Sequence, residues 1–146
     1  MKQKITFPDP EQIMPHDKPM SLVDRIVSFS SSEQVIQTQT AFSQDAFFYQ
    51  GHFKGNPVTP GVILVEAMFQ SCGLYLRLLE SEDDQIPPIL GRAVKIINAV
   101  FKKEVKPNET LLIKGNYKHR MMHFHTFEAV IEKDGEVVSQ AQLVLS

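Results

Sequence analysis

The sequence predicts an α+β domain in which one long helix lies against an antiparallel sheet. Three observations carry this. The stretch Val62 to Glu80 holds no Pro, many good helix formers, and apolar residues nearly all the way round, as in a helix buried on most sides. Runs rich in β-branched, aromatic and aliphatic residues lie before and after it. In Lys133-Asp134-Gly135-Glu136, Asp-Gly stands between the last two runs, the preferred chemistry of a tight hairpin.

The elements follow in order. Four Pro fall between Phe7 and Pro19, so the chain enters through loop and short helical turns. Leu22–Ser30 and Gln34–Phe42 suit strands, with Ser30 to Ser32 as the turn. In the second, Ile36, Thr38, Thr40 and Phe42 share one face and Val35, Gln37, Gln39 and Ala41 the other. Residues 51–61 hold Gly51, Gly55, Pro57, Pro60 and Gly61, which exclude regular structure. The helix that follows spans about 27 Å at ~1.5 Å per residue. Gly73 inside it costs up to ~1 kcal/mol relative to Ala, and a close packing contact is the expected reason for it. Val94–Val105, Leu111–His119, Phe124–Glu132 and Glu136–Leu145 complete the strands.

The chain of 146 residues suffices for one domain, 1–146, with a single sizeable core. A formal net charge of −2 gives no global case for nucleic acid or an anionic membrane. A single cysteine, Cys72, makes no internal disulfide and reads as a small core residue. The N-terminus lacks an apolar stretch of signal-peptide length, and no uninterrupted apolar run is long enough to span a bilayer, so a cytoplasmic location is expected. Glu80 to Asp84 reads as a solvated acidic loop. Between Arg92 and Lys106, Arg92, Lys95, Lys102, Lys103 and Lys106 face one acid, Glu104. This is either a solvated strand face or a docking patch for an acidic partner. His119, His123 and His125 come without the carboxylate or cysteine pattern of a metal site, so no metal is expected.

Chemistry concentrates in Gly51-His52-Phe53-Lys54-Gly55-Asn56-Pro57-Val58-Thr59-Pro60-Gly61-Val62 and the helix through Glu66 and Gln70. Glu66 stands among Val62, Ile63, Leu64, Val65, Ala67 and Met68, where a charge is costly unless paired. A carboxyl there suits a general acid, and His52 in its Gly/Pro loop suits a general base. Gln70, four residues on, shares a helix face with Glu66 and can orient its carboxyl. Pro60 and Gly61 leave N–H groups around Gly61 and Val62 at the positive helix end, where they can polarise a carbonyl. Gly61 lets that carbonyl come close. The parts suit proton abstraction beside a carbonyl with departure of water. Taken singly, His52 is equally a satisfied loop residue, Glu66 a partner for a distant Arg, and Gly61 a helix-entry residue.

The motif Gly51-His52-Phe53-x-x-x-Pro57-Val58-x-Pro60-Gly61-Val62-x-x-x-Glu66-Ala67-Met68-x-Gln70 resembles the signature of the 3-hydroxyacyl-acyl-carrier-protein dehydratases of fatty-acid synthesis, FabZ type. Ile13-Met14-Pro15-His16-x-x-Pro19-x-x-Leu22-Val23-Asp24-Arg25-Ile26 is a second match, and Phe101-Lys102-Lys103-x-Val105-x-Pro107 a weaker third. The resemblance implies a hot-dog fold, a long helix wrapped by a curved antiparallel sheet. It implies a dimer, often a trimer of dimers, in which His52 of one subunit faces Glu66 of the other. By position His52 is the base, Glu66 the acid, Gly61 the carbonyl-binding N–H and Val58 the residue whose C=O orients the His ring. Gln70 holds the acid. A cis peptide after His52 is implied too. His16 belongs to the upstream motif and reads as structural, outside the site. The implied partner is an acidic acyl carrier protein, with the five basic residues as its docking patch, and no cofactor is required.

Lys54, Thr59 and Phe69 stand where relatives commonly show Pro, Met and Ala; Asp17-Lys18 and Asn108-Glu109 also depart from the pattern. Phe69 lies one turn past Glu66 and is expected to fill part of the acyl tunnel. Three other readings fit the same fold: an acyl thioesterase, a non-catalytic subunit that binds an acyl carrier, and a dehydratase–isomerase, whose relatives usually carry Asp at the position of Glu66.

Overall fold

A computed structural model describes residues 6–50, 55–83 and 91–146. Helix α1 (Pro10–Ile13) is capped by the Asp9 side chain, which accepts from Glu11 N–H at 3.1 Å. Strands β1 (Arg25–Ser30) and β2 (Val35–Ala41) follow, then a short 3-10 turn at Phe47–Tyr49. The long helix α2 (Gly61–Glu82) leads into β3 (Ala93–Phe101), β4 (Thr110–Met121), β5 (Phe124–Lys133) and β6 (Glu136–Leu145). The six strands form one antiparallel sheet in the order β1-β2-β4-β5-β6-β3. This is the α+β architecture that the sequence predicts.

The core is where α2 meets that sheet. Ile36, Thr38, Thr40 and Phe42 turn inward as the alternation requires. Met68, Cys72, Leu74, Tyr75 and Leu76 on α2 are buried against Ile113, Phe127, Ile131 and Leu143 from the strands. Each such side chain, withdrawn from water, stabilises the fold by ~1.5–3 kcal/mol. The hairpin between β5 and β6 turns with positive φ at both Asp134 (50°) and Gly135 (79°), as the Asp-Gly pair predicts.

Length and composition alone would let α2 cross a bilayer, although Glu66 and Arg77 interrupt its apolar run. However, 72% of its most apolar window is buried inside the protein, so it acts as a core helix.

Two strand boundaries differ from expectation by three residues or more. β1 begins at Arg25 rather than Leu22, because Met20 C=O and Leu22 N–H bond a helix side chain and Leu22 C=O accepts from the Thr40 side chain rather than from a strand backbone. β3 ends at Phe101 rather than Val105; Val105 turns in, is buried, and accepts from Thr59 N–H at 2.8 Å. That bond ties the turn after β3 to the entry of α2. Among the described residues β3 is an edge strand bonded to β6 alone, and Val94, Ile96, Val100 and Phe101 on it are exposed. Such an edge is ready to pair.

Candidate active site

The sheet does not cover all of α2. Val62, Glu66, Gly73, Arg77 and Glu80, spaced at helical repeats, stay partly or fully exposed while most of the residues between them are buried. Along this stripe lies a pocket of about 230 Å³ lined by Met14, Pro15, His16, Glu66, Phe69, Gln70, Gly73, Arg77, Gly91, Arg92 and Ala93. Glu66 is therefore on a pocket wall with 28% of its side chain exposed, less enclosed than its apolar sequence neighbours suggest.

Gln70 organises this wall. Leu22 N–H donates to its Oε1 at 2.8 Å. Its Nε2 donates to Met20 O at 2.6 Å and to Glu66 Oε1 at 3.1 Å. The amide's polar atoms are all engaged although Gln70 is only 2% exposed. The i to i+4 relation expected from sequence is thus made, and the same side chain docks the segment before β1 onto α2.

That segment brings His16 to the site. His16 Nε2 lies 3.4 Å from Glu66 Oε1, and His16 Nδ1 is buried with no partner among the described residues. The sequence reading left His16 outside the site as structural. The available signal was the upstream motif itself, whose Pro15-His16 is separated by three residues from the stretch Met20 to Leu22 that Gln70 clamps.

His52, with the bond His52–Phe53, falls in 51–54, outside the described residues. Val58 is buried. It shares a second cleft with Thr59, Gly61, Val62, Leu64, Phe101, Lys102, Lys103 and Glu104, at the start of α2. Ile63 N–H and Leu64 N–H both turn back to Pro60 O, at 2.9 and 3.3 Å. Among the described residues the N–H groups of Gly61 and Val62 have no backbone acceptor, the usual state of a helix start. A Cβ at Gly61 would stand 2.9 Å from two carbons of the Phe101 ring. The close approach that glycine permits is used here by Phe101. Phe69 is 5% exposed and forms part of the Glu66 pocket wall.

Among the described residues, the five basic residues do not all border one cleft. Arg92 borders the Glu66 pocket, while Lys102 and Lys103 border the cleft at the start of α2. Lys103 also pairs with Glu136 across the neighbouring hairpin. Lys95 and Lys106 are exposed. Elsewhere, burial pushes the Cys72 thiol up, well away from thiolate. His125 is buried with Nδ1 3.1 Å from Tyr117 Oη, and burial holds its pKa below the ordinary value. Among the described residues no three His, Cys, Asp or Glu side chains are placed to hold a metal ion.

Comparison with known proteins adds to this geometry. Residues 14–142 match the model of the FabA-like domain. The chain is 37% identical over 136 residues to the 3-hydroxyacyl-[acyl-carrier-protein] dehydratase FabZ of Pseudothermotoga lettingae, covering 92% of this chain and 91% of that protein. It is 34% identical over 135 residues to the bifunctional enzyme LpxC/FabZ of Chlorobaculum tepidum, covering 92% of this chain but 28% of that longer protein. Among solved structures, the dehydratase heterocomplex ApeI:P from Xenorhabdus doucetiae superposes with a TM-score of 0.81 at 19% identity, over 95% of this chain and 90% of that one. That likeness is one of fold, and the fold is the hot-dog.

Proposed function

Because the chain belongs to the FabA-like family, and within it to the FabZ-type dehydratases, we propose that it removes water from a 3-hydroxyacyl thioester carried by an acyl carrier protein, leaving the trans-2-enoyl thioester. The observation that carries this reading is the Glu66 carboxyl, held by Gln70 on a face of the core helix that opens to a pocket. Glu66 serves as the acid that protonates the leaving hydroxyl, and His52 as the base that takes the α-proton. The thioester acidifies that proton, so the chemistry asks for no cofactor. A free N–H at the start of α2, from Gly61 with Val62 beside it, suits the carbonyl oxygen as charge builds there. Val58 is assigned to orient the His52 ring through its C=O.

The open stripe of α2 and the apolar edge of β3 are together the surface for a second copy of this chain, so that His52 of one subunit meets Glu66 of the other. A dimer, or a trimer of dimers, is the working assembly, and the cytoplasm its location. Lys102 and Lys103, beside the start of α2, receive the acidic carrier, with Arg92, Lys95 and Lys106 as further contacts. Phe69 limits the acyl chain.

The test follows water loss by mass on 3-hydroxyacyl-carrier substrates of several lengths. Wild type forms the enoyl product, and His52→Ala and Glu66→Gln each lower kcat by ~10²–10⁴ while remaining folded. Charge reversal at Lys102 and Lys103 raises KM for the carrier-bound substrate and not for its pantetheine thioester. Phe69→Ala extends the accepted chain length; an unchanged profile removes Phe69 from that role. Free thiol released with no alkene formed moves the assignment to a thioesterase, and carrier bound without either reaction moves it to a non-catalytic subunit.

A further inference from the structure

We propose that His16 is a positioning residue that decides which oxygen of Glu66 reacts: its Nε2–H and the Gln70 amide together fill Oε1, so the carboxyl proton rides on Oε2. This rests on Glu66 being the acid of the proposed dehydration.

The argument starts at Gln70. Leu22 N–H can only donate, so the Gln70 atom that faces it at 2.8 Å is the carbonyl oxygen. The amide orientation is fixed by that one contact. The two hydrogens on Nε2 are then spent on Met20 O at 2.6 Å and Glu66 Oε1 at 3.1 Å. Glu66 Oε1 thus already accepts one N–H from a buried, immobile donor.

His16 supplies the second. Its Nδ1 is buried and meets no partner among the described residues. Nδ1 goes unsatisfied with or without a proton, whereas Nε2 faces a carboxylate oxygen that can accept one. The proton therefore belongs on Nε2, and Nε2 stands 3.4 Å from the same Oε1. The contact is long for a hydrogen bond, as such contacts often are before substrate closes on them. With two donors on Oε1, both its lone pairs are occupied. A proton on the carboxyl then sits on Oε2, free to pass to a departing hydroxyl.

The placement of His16 depends on the same side chain. The segment carrying it is tied to α2 through the two Gln70 bonds at Met20 and Leu22, and Met20 N–H closes a turn on Asp17 O at 2.8 Å. Gln70 thus fixes both the carboxyl and the imidazole that faces it.

The experiment measures the dehydration kinetics of His16→Phe and His16→Gln beside wild type, with thermal melting of each. Phe keeps the ring and loses the donor. Gln places an N–H at a reach similar to that of Nε2. The expected result is a kcat about tenfold to hundredfold lower for His16→Phe, part of the ~10²–10⁴ that a general acid supplies. KM should stay within about twofold, and His16→Gln should recover most of the rate. A wild-type kcat in His16→Phe, or a Gln variant as slow as the Phe variant with melting unchanged, overturns the proposal. A second measurement stands apart from activity: ¹⁵N-detected imidazole spectra should show His16 as the Nε2–H tautomer, with its Nε2 resonance moved by Glu66→Gln. An Nδ1–H tautomer overturns the proposal even in a fully active enzyme. If wild type dehydrates nothing, the proposed function falls, and the tautomer alone decides whether His16 holds the carboxyl.

Discussion

The two faces of α2 solve the same problem in opposite ways. On the sheet side, Met68, Cys72, Leu74, Tyr75 and Leu76 are essentially withdrawn from water, and the polar atoms there close on near neighbours. Ser71 donates to Ala67 O one turn back at 2.9 Å and meets Thr38 Oγ1 at 2.7 Å. Cys72 and Gly115 touch so closely that a Cβ on Gly115 would stand 3.2 Å from the sulfur. On the open side, Glu66 and Arg77 keep part of their surface, and the acid is held by Gln70, which is itself held from the segment before β1. One face is filled to exclusion; the other is kept partly empty and polar. Side chains on the first face should govern stability, and those on the second activity.

The largest test of that division is Leu76→Ala. Leu76 is fully buried, so losing its side chain removes its transfer energy and leaves a cavity, together ~2–5 kcal/mol. Denaturant unfolding should show that loss, while kcat per folded molecule stays close to wild type. A kcat that falls with stability untouched would mean that the two faces are coupled. Ser71→Ala comes next. It leaves the Thr38 hydroxyl buried without its partner and should cost ~1–3 kcal/mol. Replacing both, Thr38→Val with Ser71→Ala, should return much of it, because an apolar pair leaves nothing unsatisfied. A double variant as unstable as the sum of the singles would show that the pair contributes through packing rather than through its hydrogen bond.

The sheet side of this comparison could be read from the sequence; much of the open side could not. Periodicity placed Ile36, Thr38, Thr40 and Phe42 on one face of β2 because alternation is a local property. The apolar run after Gly61 marked α2, and Asp134-Gly135 marked its hairpin, for the same reason. Glu66 and Gln70 stood out because four residues on a helix make neighbours. His16 did not. It reaches Glu66 only because Leu22 and Met20 bond a side chain 48 and 50 residues further along, and no local pattern records such a pairing. The early end of β3 has a similar cause, since Val105 leaves the strand to bond Thr59 in another part of the chain. The basic residues from Arg92 to Lys106 looked like one patch in sequence, but Arg92 borders one cleft and Lys102 and Lys103 another.

The smallest effect discriminates most sharply between the faces, because its sign is opposite to that of every core change. Gly73 sits inside α2, where glycine costs ~1 kcal/mol relative to Ala. Among the described residues, tight packing, the reason expected from sequence, is not seen at Gly73. A Cβ built there meets, among the described residues, only Leu145 Cδ2 at 4.0 Å, an ordinary contact. What Gly73 does is line the pocket beside Glu66, one turn past Phe69. Gly73→Ala should therefore raise stability by about 0.5–1 kcal/mol. The added methyl should also narrow the pocket and lower kcat/KM for the longest accepted acyl chains more than for the shortest. Stability rising with an unchanged length profile would place the acyl chain elsewhere. Stability falling would mean that the helix is crowded at Gly73 after all, and that its open face is more tightly filled than the pocket suggests.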